Sequence, residues 1–136
     1  MTFMQIEFYP GDWVRVFVPR LGVWHHGVVR RVSHLTDVLF VVEIAHNMKL
    51  TGVVVTDLAQ FADDQLVFLH RRPLPAQIPE ILARVDANIG SPYHLFAQNC
   101  EHFASFVFTG RAESTSIKTA GALTVASIIA FGLLNG

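Results

Sequence analysis

Cys100 is the only cysteine in a chain of 136 residues that also carries seven histidines. A thiol becomes a nucleophile or a metal ligand by ionising, and a thiol with imidazole neighbours is a minimal side-chain set for covalent acyl chemistry. A lone cysteine is most often a small buried hydrophobe, so its position has to argue for more. Asn99 reads as an N-cap, and Cys100, Phe103, Phe106 and Val107 fall along one stripe that Gly110 closes. The thiol therefore belongs to the first turn of a helix, facing inward. Unpaired N–H groups and the positive end of the helix dipole favour thiolate there, and the same groups suit an oxyanion.

The base must come from elsewhere. His26 to Ser33 and Val38 to His46 are β-branched runs on either side of His34-Leu35-Thr36-Asp37, and they read as an antiparallel hairpin. With the turn centred between Leu35 and Thr36, His25 pairs with His46. Directly opposed side chains share a face with Cβ atoms about 4.5 to 5.5 Å apart, so one imidazole can orient the other. Cys100, His25 and His46 are thus the candidate reacting set, with both rings expected on the face that meets the start of the Cys100 helix. A bulge would bring Asn47 or Ala45 opposite His25, which makes Asn47 the reserve orienter. His26 points to the other face and reads as structural or surface. His34 falls in the turn, and Trp13 and Trp24 read as core. Zinc on Cys100, His25 and His46 is the competing reading of the same residues.

The elements that must hold these groups alternate in period. Trp13–Val18 is a strand between Gly11-Asp12 and Pro19. After the hairpin come a short strand at Gly52–Val55, a helical turn at Leu58–Phe61 capped by Asp57, and a last strand at Leu66–His70. Beyond Arg71-Arg72-Pro73, the residues Ile78, Leu82, Val85 and Ile89 recur at helical spacing until Gly90. The pattern is α+β, a small antiparallel sheet followed by helices.

Composition narrows the function. With 51% hydrophobic and 15% charged residues the chain is one compact domain, which excludes disorder. Ten Lys plus Arg against eleven Asp plus Glu, scattered along the chain, leave no electrostatic footprint for nucleic acid. A single cysteine forms no internal disulfide and suits a reducing, intracellular compartment. No basic residue precedes Arg15, so a secretory signal is not expected. From Thr119 to Leu134 run sixteen residues without a charge, with Gly121, Ser127 and Gly132 among them. That segment reads as a membrane-associated tail, with a last core helix as the alternative.

Asn99-Cys100-Glu101-His102-Phe103 reproduces the NCEHF box of the lecithin:retinol acyltransferase-like proteins, which include the HRAS-like suppressor phospholipase/acyltransferases and the viral H-box/NC proteins. Pro92-Tyr93 with Leu95 resembles the segment before that box, and His25-His26-Gly27-Val28 resembles the H-box. Pro10-Gly11-Asp12 is similar to the family's amino-terminal GD, and Arg20 stands where several members have an Arg five residues before the catalytic His. Two positions depart from the pattern. The family's third polar residue follows the first His by about a dozen positions, whereas His46 follows His25 by twenty-one. Val23 stands where many members carry Tyr.

The resemblance implies a circularly permuted papain-like fold with an apolar C-terminal helix: a catalytic domain over residues 1–112 and a tail over 113–136. It implies Cys100 as nucleophile, His25 as general base and His46 as the orienting residue, with Asn99, Glu101, His102, Arg20 and Asn47 supporting them, and neither metal nor cofactor. The implied activity is acyltransferase or phospholipase A-like, on phospholipid or another acyl ester, at a membrane surface and in the cytoplasm. Two alternatives share these residues: a papain-like amide or peptide hydrolase, and a non-catalytic membrane-associated interaction module.

Overall fold

The computed structural model describes residues 7–96 and 100–111. They form an α+β domain in the order β1 (Trp13–Val18), β2 (Val23–His34), β3 (Phe40–Met48), β4 (Gly52–Asp57), α1 (Leu58–Ala62), β5 (Val67–Arg71), α2 (Ile78–Asn88) and α3 (Cys100–Thr109). Short 3₁₀ turns at Pro75–Gln77 and Tyr93–Phe96 lead into α2 and towards α3. The strands make one antiparallel sheet in the order β4-β3-β2-β1-β5. The expected elements are all present; the apolar segment 119–134 and Asn99 lie outside the described residues.

Both faces of the sheet are covered. On one, Trp13, Val28, Ala45 and Val53 pack against Ile81 and Val85 of α2 and Phe103, Ala104 and Val107 of α3. On the other, Val14, Val16, Val29, Val42 and Ile44 pack against Phe8 and against Phe61 of α1. Alternation along the strands produces this division, since successive side chains leave a strand on opposite faces. Helix α2 buries Ile81 and Val85, whereas Ile89 is 40% exposed. The four apolar residues taken as one stripe therefore straddle the buried line, and Ile89 leaves it because its backbone has already departed from helix (φ −59°, ψ 129°). Trp24 is likewise not core but 37% exposed.

The β2–β3 hairpin turns later than expected. His34 pairs with Phe40 around a loop at 35–39, and the register runs Ser33↔Val41, Val32↔Val42 and Arg31↔Glu43. That register alone would place Asn47 on the same face as His25. Arg30 is an extra, unpaired residue between Val29↔Ile44 and Arg31↔Glu43, and its side chain reaches out to Asp86 of α2 at 2.8 Å. The bulge restores the parity, so that Gly27 stands opposite His46 and Val28 opposite Ala45.

Candidate active site

His46 is the diagonal neighbour of His25 rather than its direct partner, a correction of two residues to the expected register. A shift of two keeps the face, and imidazoles are long enough to bridge the diagonal. His25 Nε2 lies 2.7 Å from His46 Nδ1, and His46 Nε2 lies 2.8 Å from Oγ1 of Thr56 on β4. Gly27, between the two rings along the face, makes the space: a Cβ there would come within 2.6 Å of Ile44 Cγ2 and 2.9 Å of Phe61 Cε2. Phe61 of α1 covers the pair, its ring centroid 5.3 Å from that of His25 and 5.1 Å from that of His46. Burial lowers the pKa of His25 to about 4. It lowers that of His46 to about 3, with the charge of a protonated His25 as a further cause. Both rings are neutral at pH 7.

Cys100 opens α3 and approaches from the opposite side. The body of α3 packs on the Trp13–Val28 face, whereas His25, beside Val16 and Gly27, lies on the α1 face. The expectation of one common face is therefore wrong, and the sheet itself provides the meeting point. Val29 bonds through both its N–H and its C=O to the segment at Gly11 and Asp12, on the β1 side. By alternation the C=O of Trp24 and the N–H of His26 point the other way, towards β3. Pairing with β3 stops at Gly27↔His46, so those two groups have no strand to bond. The Cys100 thiol lies at this edge: Sγ is 3.7 Å from Trp24 O, to which it donates. The sulfur thus rests against the backbone of the residue that precedes His25.

The helix start does not produce a free thiolate. Burial is the largest influence and pushes the Cys100 thiol up, opposed by the N–H groups of His26, Glu101 and Cys100 itself. The negative charge of Glu101 pushes in the same direction as burial. Cys100 and His25 consequently rest as a neutral thiol and a neutral imidazole.

The other residues singled out in the sequence fall in different places. Asn47 is buried on the α3 face, opposite Val53, and its Nδ2 donates to Tyr93 O at 3.1 Å. It holds the 3₁₀ turn that precedes Cys100 and does not orient His25, because the Arg30 bulge has turned it to the other face. Arg20 is exposed in the β1–β2 turn, and His34 is exposed at the end of β2. His102, on α3 itself, is fully buried. Glu101 faces His26 at 3.8 Å. His26 is neither surface nor idle: it is 4% exposed, and its Nδ1 accepts the Trp13 indole N–H at 2.9 Å. Among the described residues no group of three or more His, Cys, Asp or Glu side chains is arranged to hold a metal, so the zinc reading gains no support. A cavity of about 340 Å³ lies away from the thiol, at the carboxyl end of α3 between Arg71, Arg84 and Arg111.

Sequence reasoning missed Thr56 and Phe61. The signal was available for Thr56: once His46 pairs with Val54, the residue two further along β4 shares the His46 face. Nothing in the local pattern distinguishes Phe61 from an ordinary anchoring residue of a one-turn helix.

None of the curated proteins compared with the chain matches it. The family model described as lecithin retinol acyltransferase matches residues 7–113, which takes in the whole sheet, the histidine pair and the Cys100 helix. The chain belongs to the lecithin retinol acyltransferase family, and its function is of that acyltransferase, thiol-enzyme type.

Proposed function

We propose that the protein takes acyl groups from lipid esters through an acyl-thioester on Cys100, as an acyltransferase or phospholipase A-like hydrolase. The observation that carries this reading is the seat of the sulfur against the Trp24 carbonyl, one residue from His25, whose Nε2 is already engaged by His46. Nδ1 is the nitrogen left to serve the thiol. As the sulfur attacks the ester carbonyl, its proton passes to His25 Nδ1. The carbon–oxygen bond then breaks and His25 returns the proton to the departing alkoxide. In the second half water or an acceptor hydroxyl or amine gives its proton to His25 while attacking the thioester, and the thiol is released.

The surroundings favour a lipid over a peptide. Phe17, Leu21, Val23 and Trp24, at the β1–β2 end beside the sulfur, are all more than a third exposed, so an apolar surface adjoins the nucleophile. In the sequence the charge-free run 119–134 adds a segment suited to membrane association of a cytoplasmic enzyme.

Intact mass spectrometry after incubation with mixed phospholipid vesicles tests the reading. An acyl adduct on Cys100, absent in Cys100→Ser, together with release of lysophospholipid, is the expected result. Absence of both adduct and lysophospholipid overturns it, and cleavage of peptide amides in the same assay would favour the hydrolase alternative. Flotation with those vesicles should carry the full chain upward and leave a chain truncated after Lys118 at the bottom. A full chain that stays at the bottom removes the membrane part.

A further inference from the structure

We infer that Arg15 is a specificity-determining residue that receives the phosphate of a phospholipid whose acyl ester Cys100 attacks; the inference rests on the proposed activity and names its substrate class. Strand register sets the cation on the side of the nucleophile. Arg15 stands opposite His26 of β2 and opposite Phe68 of β5, and residues paired in this way leave the sheet on one face. Two residues along their strands, Phe17 and Trp24 join them there. Further along the same face Trp13 and Val28 are buried beneath α3. Phe17, Trp24 and Phe68 are instead each more than a third exposed, so the face emerges from under the helix at its Cys100 end.

Trp24 joins the two groups. Its C=O accepts the Cys100 thiol, and its ring carries the Arg15 guanidinium, whose carbon lies 4.2 Å from the ring centroid. The same ring packs edge to face with Phe17 at 5.4 Å and Phe68 at 5.8 Å, an aromatic floor for the apolar part of a lipid. Among the described residues no carboxylate pairs with Arg15, whereas the two other half-buried arginines, Arg30 and Arg84, face Asp86 and Glu80. Arg15 Nε is buried without a hydrogen-bond partner. A stacked ring offsets part of the cost of burying that charge, and a bound anion offsets more. Because Nε alone among the guanidinium nitrogens is both buried and unbonded, Nη1 and Nη2 open to solvent and present a planar pair of donors that matches two phosphate oxygens. Activating the thiol is not the task of this cation: the influences on Cys100 are burial, three N–H groups and Glu101. Its charge acts on His26 and His70 and opposes their protonation.

The test compares the full chain with Arg15→Gln and Arg15→Lys on two esters of the same short acyl chains, a phosphatidylcholine and an uncharged diacylglycerol. Losing a charge-assisted pair is expected to lower the ratio of kcat/KM for phospholipid over diacylglycerol about tenfold in Arg15→Gln. Arg15→Lys keeps the charge but not the fork and should fall between. An unchanged ratio in Arg15→Gln overturns the inference, since a merely structural role slows both esters alike. Should Arg15→Gln not fold, an undiminished ratio in Arg15→Lys overturns it instead. A second measurement needs no acyl transfer: the rate of Cys100 alkylation by iodoacetate relative to iodoacetamide at one fixed pH. Glu101 opposes the anionic reagent in every variant, so the change between variants reports Arg15. That relative rate should fall about fivefold in Arg15→Gln and be largely kept in Arg15→Lys. A chain that turns over neither ester, while its relative rate still falls in Arg15→Gln, would refute the proposed activity and leave Arg15 as an anion-binding residue. Turnover of both esters with an unchanged ratio would leave the activity standing and remove Arg15 from substrate recognition.

Discussion

Thr56 Oγ1 stands 2.8 Å from His46 Nε2, on the side of the imidazole away from His25, and extends the line of contacts that begins at His25. For His25 Nδ1 to accept from a thiol, its proton must reside on Nε2 and be donated to His46 Nδ1. His46 then carries its proton on Nε2 and donates it to the Thr56 hydroxyl. The Thr56 hydroxyl can accept that proton, so it suits the tautomer pair that the proposed proton transfer requires.

Thr56→Val removes that acceptor while preserving shape. His46 is only 3% exposed, so its Nε2–H would be left buried and unpaired, and the alternative tautomer would set two N–H groups against each other at the His25 contact. The expected outcome is a loss of about tenfold in kcat/KM for acyl release, with Thr56→Ser close to wild type. Equal activity of Thr56→Val and wild type would show that the tautomer is set otherwise.

The acid side of the rate profile should be displaced. In the proposed mechanism His25 must be neutral to accept the thiol proton, and burial lowers its pKa to about 4. The enzyme therefore keeps the reactive form of its base down to about pH 4, whereas an ordinary imidazole would lose it near 6.5. A kcat/KM profile on a short-chain ester checks this, and an acid limb at 6 to 7 would show that the ring is solvated in the working enzyme. Phe61→Leu, which thins the cover over both rings, should move the limb upward.

Much of this site was legible in the sequence because it depends on parity. The helix start at Cys100 followed from Asn99 and the apolar stripe, and the contact between His25 and His46 followed from two strands joined by a turn. The register did not, since the turn is offset by a loop at 35–39 and then corrected by a bulge at Arg30, and neither has a compositional mark. The loop shifts the register by three residues and the bulge takes one back, and the net shift of two keeps the face, which is why the contact survived while its derivation failed. The common face with Cys100 was illegible for a different reason. It depends on where β3 stops pairing, and a strand end is a tertiary event that alternation cannot locate. The additional length between His25 and His46 is accommodated by a twelve-residue β2 and a nine-residue β3.

Acid should also unfold the protein earlier than a domain without buried histidines. His25, His26 and His46 are held at about 4, 3 and 3, each chiefly by burial, and the unfolded chain titrates them near 6.5. Below 6.5 the unfolded state therefore binds protons that the folded state refuses, and stability falls as pH drops from about 6.5 towards 3 to 4. Above 6.5 all three are neutral in both states and contribute no slope. Urea midpoints measured from pH 8 to pH 4 should be flat at first and then decline. His26→Gln should reduce the decline, and a midpoint that does not change between pH 7 and 4.5 would contradict the burial of these rings.

Arg72→Met should be among the most damaging single changes outside the site. Asp12 is fully buried, and Arg72 donates to it twice, Nε to Oδ1 at 3.0 Å and Nη2 to Oδ2 at 2.9 Å, while the Tyr9 N–H donates to Oδ2 at 2.9 Å. The same residue's backbone C=O accepts the Val29 N–H, and Gly11, at φ +92°, gives its N–H to Val29 C=O. The Gly11-Asp12 pair thus starts the β1–β2 ladder that presents His25 at its other end. Removing Arg72 leaves a buried carboxylate with one donor, a loss of about 3 to 5 kcal/mol for a pair broken from one side. In a domain of this size that lowers Tm by more than about 10 °C. Asp12→Asn combined with Arg72→Met should recover part of the loss, because a neutral amide still accepts the Tyr9 N–H without needing a counter-charge. If the double variant is less stable than Arg72→Met alone, the cost lies in packing of the Arg72 side chain over the Tyr9 ring, 4.8 Å away, and not in the orphaned charge.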